Sequence, residues 1–575
     1  MHDLVIRGGN VVDGSGAPAR VVDLAVEGDR IVAVGNDIGP GRREIDATGM
    51  IVTPGWVDIH THYDGQVTWD PHLTPSGWNG VTTLVMGNCG VGFAPVHPGQ
   101  EDFLIELMEG VEDIPGTALA EGIEWKWESF PEYLDAIEKM PRSVDVGTQV
   151  PHGPIRAYVM GERGVLNEKA TTEDIEQMAS LVKEGLEAGA LGFSTSRTIL
   201  HRVKDGDVVP GTYANDEEVL GIGRMLGEVG HGVFEVASDL APEGDELQWM
   251  KRLGRETGQP VAFACLQSPA DPDQWKRLLA EVDADSAEGG CLRPQVAQRP
   301  TGLLLGWEST VNPFMFSPEW PAMASMPVAE RLEHLAKPEV RRKLIDSQVD
   351  LSGSPLPGPA LLMSNGFHMM FPLGDPPDYE PGPEKSIAAM AERAGRPPRE
   401  ILYDLMMEKE GRGFIYLPLI GYANGDLEAI RAMMEHPKTV FGLSDGGAHC
   451  GLICDASMPT FLLTHWVRDR TRGERLPIES VVESQTRRTA ELYGMNDRGV
   501  LAPGMKADLN VIDFDALLIH APEMVYDLPA EGRRLIQKID GYRYTVQSGE
   551  ITYEDGVPTG ALPGKLIRGP QPAPH

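Results

Sequence analysis

Hydrophobic positions in the first fifty residues come in short runs rather than in helical registers. Leu4-Val5-Ile6, Val11-Val12 and residues 21–26 and 31–34 are separated by Gly8-Gly9, Gly14-Ser15-Gly16 and Glu27-Gly28-Asp29, which predicts a meander of short strands joined by turns. Beyond Pro54-Gly55 the texture changes. Apolar strand-like runs now alternate with amphipathic helical stretches, the pattern of a parallel α/β sheet. In the clearest unit, Thr171-Thr172-Glu173-Asp174 caps a helix with Ile175, Met178, Leu181, Val182 and Leu186 on one face. A buried strand at Gly189-Ala190-Leu191-Gly192-Phe193 follows and ends in Ser194-Thr195-Ser196-Arg197. Similar strand ends occur at residues 81–86, 232–236 and 439–443. In a parallel barrel all of them deliver their loops to one face.

Near the end of the chain, strand-like segments at residues 507–513, 544–546 and 551–553 match the N-terminal meander. The expected architecture is α/β: a (β/α)8, TIM-like barrel over residues 56–497, with a small β-sandwich domain assembled from residues 1–55 and 498–555. Between about residues 267 and 375 the alternation fades among prolines and the aromatics Trp275, Trp307, Phe314, Phe316 and Trp320. This reads as an insertion of elaborated barrel loops, whose aromatics either wall a substrate pocket or pack the insertion on the barrel. Residues 556–575, rich in Gly and Pro, read as an extended arm.

Charge narrows the partners. With 86 acidic against 50 basic residues the net charge is −36 over 575 residues, a field that repels phosphate backbones and anionic lipid heads. No nucleic acid and no membrane partner is expected, but a small-molecule substrate is compatible, and a homo-oligomer stays open. The start shows no basic segment followed by an apolar stretch. Five scattered cysteines argue against a disulfide framework. A cytoplasmic location is expected.

Chemistry concentrates in three segments. In Pro54-Gly55-Trp56-Val57-Asp58-Ile59-His60-Thr61-His62, His60 and His62 are two apart on an extended chain, so their rings project to one side and can share a divalent metal. In Val440-Phe441-Gly442-Leu443-Ser444-Asp445 an apolar strand ends in an acid, placed to touch that metal and to act as general base. In Gly87-Asn88-Cys89-Gly90 a cysteine between glycines follows a strand and suits a soft thiolate ligand. His449 can orient Asp445 or touch substrate, or be an ordinary loop histidine.

These segments, in this order and with Val150-Pro151-His152-Gly153-Pro154-Ile155-Arg156, Gly192-Phe193-Ser194-Thr195 and residues 499–513, resemble the amidohydrolase superfamily. The branch they are most similar to is that of D-aminoacylase, the N-acyl-D-amino-acid deacylases. The resemblance implies metal-dependent hydrolysis of the carbon–nitrogen bond of N-acyl amino acids or related linear amides, with metal at His60, His62, Cys89 and Asp445, and Asp445 as base. Zinc is the implied cofactor, one ion favoured over two. His152, Arg156, Arg197 and His449 become the candidate substrate-binding residues. This chain departs from the family at two strand ends, 234–239 and 261–267, where the family's further histidines are absent. Glu235 and Asp239 stand in the first, and Gln267 stands where the family sets a lysine for a substrate carboxylate. The competing readings are a cyclic amide or lactone hydrolase and a catalytically inactive barrel serving as a binding protein.

Overall fold

The computed structural model describes residues 1–240, 246–352, 354 and 356–574. Gly353 and Pro355, within the expected insertion, and His575, the end of the expected arm, lie outside the described residues.

Eight parallel strands carry the candidate site: β1 Trp56–Asp58, β2 Val81–Met86, β3 Asp145–Thr148, β4 Gly192–Arg197, β5 Val233–Ser238, β6 Val261–Ala264, β7 Leu292–Val296 and β8 Val440–Phe441. They form two ladders. β1, β2 and β3 pair in that order, and the short strand Val150–Pro151, directly after β3, begins a second ladder running through β4, β5, β6, β7 and β8. Beyond β8 the chain meets the segment after β1 through the parallel bridge Thr61↔Gly446, with His62 N donating to Gly446 O at 2.8 Å.

Local chemistry explains the clearest unit. The helix Thr172–Ala188 starts with a reciprocal capping box between Thr171 and Asp174, buries Met178, Val182 and Leu186, and stops at Gly189 with φ +116°. β4 then runs buried almost to its last residue.

Both chain ends build one nine-stranded sheet, in which Ile51–Pro54 pairs with His2–Val11 on one side and Leu509–Ile512 on the other. Leu4, Ile6, Leu24, Val26, Val52, Leu509 and Val546 form its core. The C-terminal arm docks against β3. Val146 N donates to Lys565 O (3.0 Å) and Ile567 N to Val146 O (2.7 Å), with Leu566 and Ile567 buried.

The insertion departs from its expected bounds. β7 falls inside residues 267–375, and the excursion instead lies between β7 and β8. The apolar run of β7 is broken by Arg293, Pro294 and Gln295, which hides the strand from a hydrophobicity reading. The insertion has its own three-stranded sheet, Thr301–Leu305, Phe371–Pro372 and Ile415–Ile420, and its own core. Trp307 stacks on Phe314 and Trp320 at centroid distances of 5.4 and 5.9 Å, so these rings pack the core of the insertion, and Trp307 also lines a cavity with Glu308, Pro372 and Tyr526. Among the described residues no helix is long and apolar enough to cross a membrane.

Candidate metal centre

The segment following β1 stays extended, so His60 and His62 fall on one side as the two-residue period requires, with ring centroids 5.5 Å apart. Thr61 faces away and donates to Val85 O at 2.9 Å. Cys89 comes from the turn after β2. Gly87 there has φ +76°, and a Cβ on it would lie 2.4 Å from Gln149 O, so only glycine lets the turn close against its neighbour. Asn88 ties the turn down by donating to Thr61 O and Val85 O. Cys89 itself is left-handed at φ +56°, and its N–H donates to Glu235 Oε2 at 2.9 Å.

Donor atoms of His60, His62 and Cys89 all lie within 4.8 Å of one another. Cys89 Sγ is 3.4 Å from His60 Nε2. Asp445 joins them: its Oδ1 is 3.3 Å from His60 Nε2 and 3.8 Å from His62 Nε2. Leu443 and Asp445 are left-handed (φ +62° and +48°), a conformation costly for side-chain-bearing residues. It is held by Asp445 N donating to His60 O and by Ser444 Oγ donating to Asp58 Oδ2 at 2.5 Å.

The electrostatics point the same way. Burial pushes His62 down to about 4, leaving a neutral ring with a lone pair. Burial, then the charges of Glu235, Glu112, Asp445 and Asp64, hold the Cys89 thiol well above its ordinary range. Burial pushes Asp64 up to about 7. For Asp445 burial acts upward too, but the imidazoles of His62, His60 and His449 outweigh it and keep the carboxylate below its usual range. Cys89, Glu112, Asp64 and Glu235 are thus buried together around Asp445. Two imidazoles, a thiol and a carboxylate converging at such distances are a donor set that fits a divalent cation.

Other sequence candidates sit differently. His449 is at the centre, with Nε2 3.8 Å from Asp445 Oδ2. Both nitrogens of His152 are engaged, by Thr195 Oγ1 at 2.8 Å and Glu218 Oε1 at 3.0 Å. Arg156 donates to the same Glu218 and to Gly164 O, and all three side chains are buried. Arg197 pairs with Glu246. His152, Arg156 and Arg197, the expected substrate-binding residues, each bond to protein partners here. Glu235 holds the Cys89 turn, Asp239 accepts from Ile199 N, and Gln267 Oε1 accepts from Ala423 N.

Three residues at the centre had no assigned role in the sequence reading. Gln295 Oε1 lies 2.9 Å from His60 Nδ1. Glu112, the last residue of α1 (Glu101–Glu112), has Oε1 3.4 Å from His62 Nδ1. His201, held by Ser196 Oγ, is pushed down to about 3 by burial and by neighbouring imidazoles including His449 and His62.

A family model for the amidohydrolase family matches residues 43–553, and the chain belongs to that family, in its D-aminoacylase-like branch. It is 33% identical over 267 residues to a D-aminoacylase of Alcaligenes xylosoxydans xylosoxydans, covering 46% of this chain and 50% of that one. It is 37% identical over 267 residues to the N-acyl-D-aspartate deacylase of the same organism, covering 46% and 49%. These matches span about half the length of the curated relatives. Among solved structures, the N-acyl-D-glutamate deacylase of Bordetella bronchiseptica, complexed with zinc and a phosphonate inhibitor, superposes with a TM-score of 0.62 at 23% identity, covering 99% of this chain and 100% of that one. The likeness shows a shared fold.

Proposed function

We propose that this protein is a metal-dependent hydrolase of carbon–nitrogen amide bonds, acting on N-acyl amino acids or related linear amides. One observation carries the reading: donor atoms of His60, His62 and Cys89 converge within 4.8 Å, with Asp445 Oδ1 3.3 Å from His60 Nε2. The relatives named above, deacylases of N-acyl-D-amino acids, support the substrate class. The reading takes the two parallel ladders as one (β/α)8 barrel over residues 56–497, with a sandwich from residues 1–55 and 498–555. The bonds joining the segments after β1 and β8 support it.

One tightly held zinc suits neutral imidazoles, a soft sulfur and a carboxylate. When bound, such an ion lowers the pKa of water and polarises an amide carbonyl. The chain's own residues do the rest. Gln295 accepts the Nδ1 hydrogen of His60 and so directs Nε2 into the cluster. Asp445, kept ionised, takes the proton from the attacking water and returns it to the departing amine. His449, whose side chain is 20% exposed, is placed to meet substrate at the mouth.

The test combines elemental analysis with hydrolysis of a panel of N-acyl-D- and N-acyl-L-amino acids. Wild type should retain about one zinc through dialysis, His60→Ala should lose it, and Asp445→Asn should hydrolyse about 10³-fold more slowly. A linear amide gives two products; a single ring-opened product would move the substrate class to cyclic amides. Active protein free of metal would overturn the mechanism.

A further inference from the structure

A cavity of about 630 Å³ opens along the seam between the insertion and the hairpin of Glu523–Leu528 and Gly532–Ile536, and its lining shares no residue with the metal centre. Its size suits a small organic molecule, for which pockets span roughly 300–1,000 Å³. Trp307, Leu373, Phe414 and Met524 supply an apolar wall.

Glu308 gives this wall a polar end. The residue is 6% exposed, and its Oε2 accepts from Tyr526 OH at 3.0 Å, while Oε1 has no hydrogen bond among the described residues. Arg412 Nε stands 3.7 Å from Oε1, beyond hydrogen-bond reach, on a side chain 69% exposed. A buried carboxylate is costly unless donors meet it, and a solvent-screened guanidinium at that separation contributes little. One oxygen is left for a donor from outside the chain.

The surrounding charge decides which donor. Glu308, Asp375, Glu408 and Glu523 line the cavity against two cations, Lys409 and Arg412, so four acids less two bases leave an excess of two negative charges. Lys409 already stands 3.8 Å from Asp375. An anion is repelled here, whereas an ammonium finds a carboxylate beside aromatic and aliphatic surface.

The carboxylate is also held in place before any ligand arrives. Arg533 Nη1 donates to Glu308 O at 2.9 Å and Nη2 to Thr310 Oγ1 at 3.2 Å, and Thr310 N donates to Gly451 O at 2.8 Å. Arg331 Nη1 donates to Trp307 O at 2.8 Å. These bonds tie the backbone around Glu308 to the hairpin, to the loop after β8 and to the insertion's own helix, which lowers the ordering cost of binding.

We propose that this seam is a binding site for an organic ammonium ion carried on an apolar body, with Glu308 Oε1 as the counter-ion and Trp307, Phe414 and Met524 against the apolar part. The site uses no metal ligand and stands apart from the hydrolytic reading above.

The experiment is calorimetric titration of full-length protein with tryptamine, set beside tryptophol and indole-3-propionate as neutral and anionic matches of the same ring. Tryptamine should bind at one equivalent, about tenfold or more tighter than either match. Glu308→Gln, which can still accept from Tyr526 OH, should weaken tryptamine about tenfold or more. Met524→Lys, which sets a like charge in the cavity from a partly buried strand position, should do the same, and it decides by itself if Glu308→Gln does not fold. Chelator-stripped protein should bind tryptamine as tightly as metal-loaded protein, so the outcome is independent of the metal centre. Absence of tryptamine binding, equal binding of indole-3-propionate, or wild-type affinity in the folded variants would overturn the site. Binding that disappears on stripping the metal would also overturn it, by placing the amine at the metal centre instead.

Discussion

Gln295 Oε1 lies 2.9 Å from His60 Nδ1, both side chains buried, on β7 and just past β1. An amide oxygen accepts and cannot donate, so His60 carries its hydrogen on Nδ1 and presents a lone pair at Nε2, 3.4 Å from Cys89 Sγ. Gln295→Ala frees the ring to turn and to change tautomer. Zinc affinity should fall about 10–100-fold, measured by competition with a chromophoric chelator. Unchanged affinity would show that packing alone orients His60.

A second prediction concerns acid stability. The Glu218 carboxylate accepts from His152 and Arg156, and although burial acts upward, these partners bring it down to about 2. Its folded pKa is therefore below its unfolded value near 4.5. The stabilisation is fully present above about pH 4.5 and drains as pH falls toward 2. In urea melts, Glu218→Gln should be less stable than wild type by roughly 3 kcal/mol at pH 7. That gap should narrow steadily between pH 4.5 and the lowest pH at which both fold. A gap independent of pH would mean that shape rather than charge supplies the stability.

The four donors proposed for the metal centre were readable because each follows an apolar strand or sits in a Gly-flanked turn. Glu112 and Gln295 were not, for opposite reasons. Glu112 continues the stripe of Leu104, Leu107, Met108 and Val111, where an acid passes for a helix end. Yet a carboxylate at a C-terminus opposes the helix dipole, and an acid on an apolar face there was the available signal. Gln295 was hidden because Arg293 and Pro294 disguise its strand. The sequence does not show that Glu218, on a later helix, pairs with both His152 and Arg156.

A buried ion pair outside the metal cluster gives a third prediction. Arg299, fully buried, donates to Asp455 Oδ1 and Ser457 Oγ, and its guanidinium lies 4.0 Å from the Tyr379 ring centroid. Removing Asp455 alone strands a cation without its counter-ion. Asp455→Ala should destabilise the fold by ~3–5 kcal/mol, while Asp455→Ala with Arg299→Met should recover part of that loss. Additive losses in a double-mutant cycle of thermal melts would contradict the coupling.

The last prediction tests the C-terminal arm as part of the parallel ladder at β3. Lys565 N donates to Asp145 Oδ1 at 2.8 Å, and the backbone bonds on either side of Val146 lengthen the sheet at β3. The same Asp145 accepts from Arg498 and Lys506, so the arm closes over a buried charge cluster. Truncation after Gly560 removes the burial of Leu566 and Ile567, worth ~1.5–3 kcal/mol each, and exposes Asp145 to water. The truncated protein should melt several degrees lower, with faster amide exchange at residues 145–148 than elsewhere in the parallel strands. Double substitution of Leu566 and Ile567 by Ser should reproduce most of the shift. An unchanged melting temperature would show that the arm lies on a ladder already complete without it.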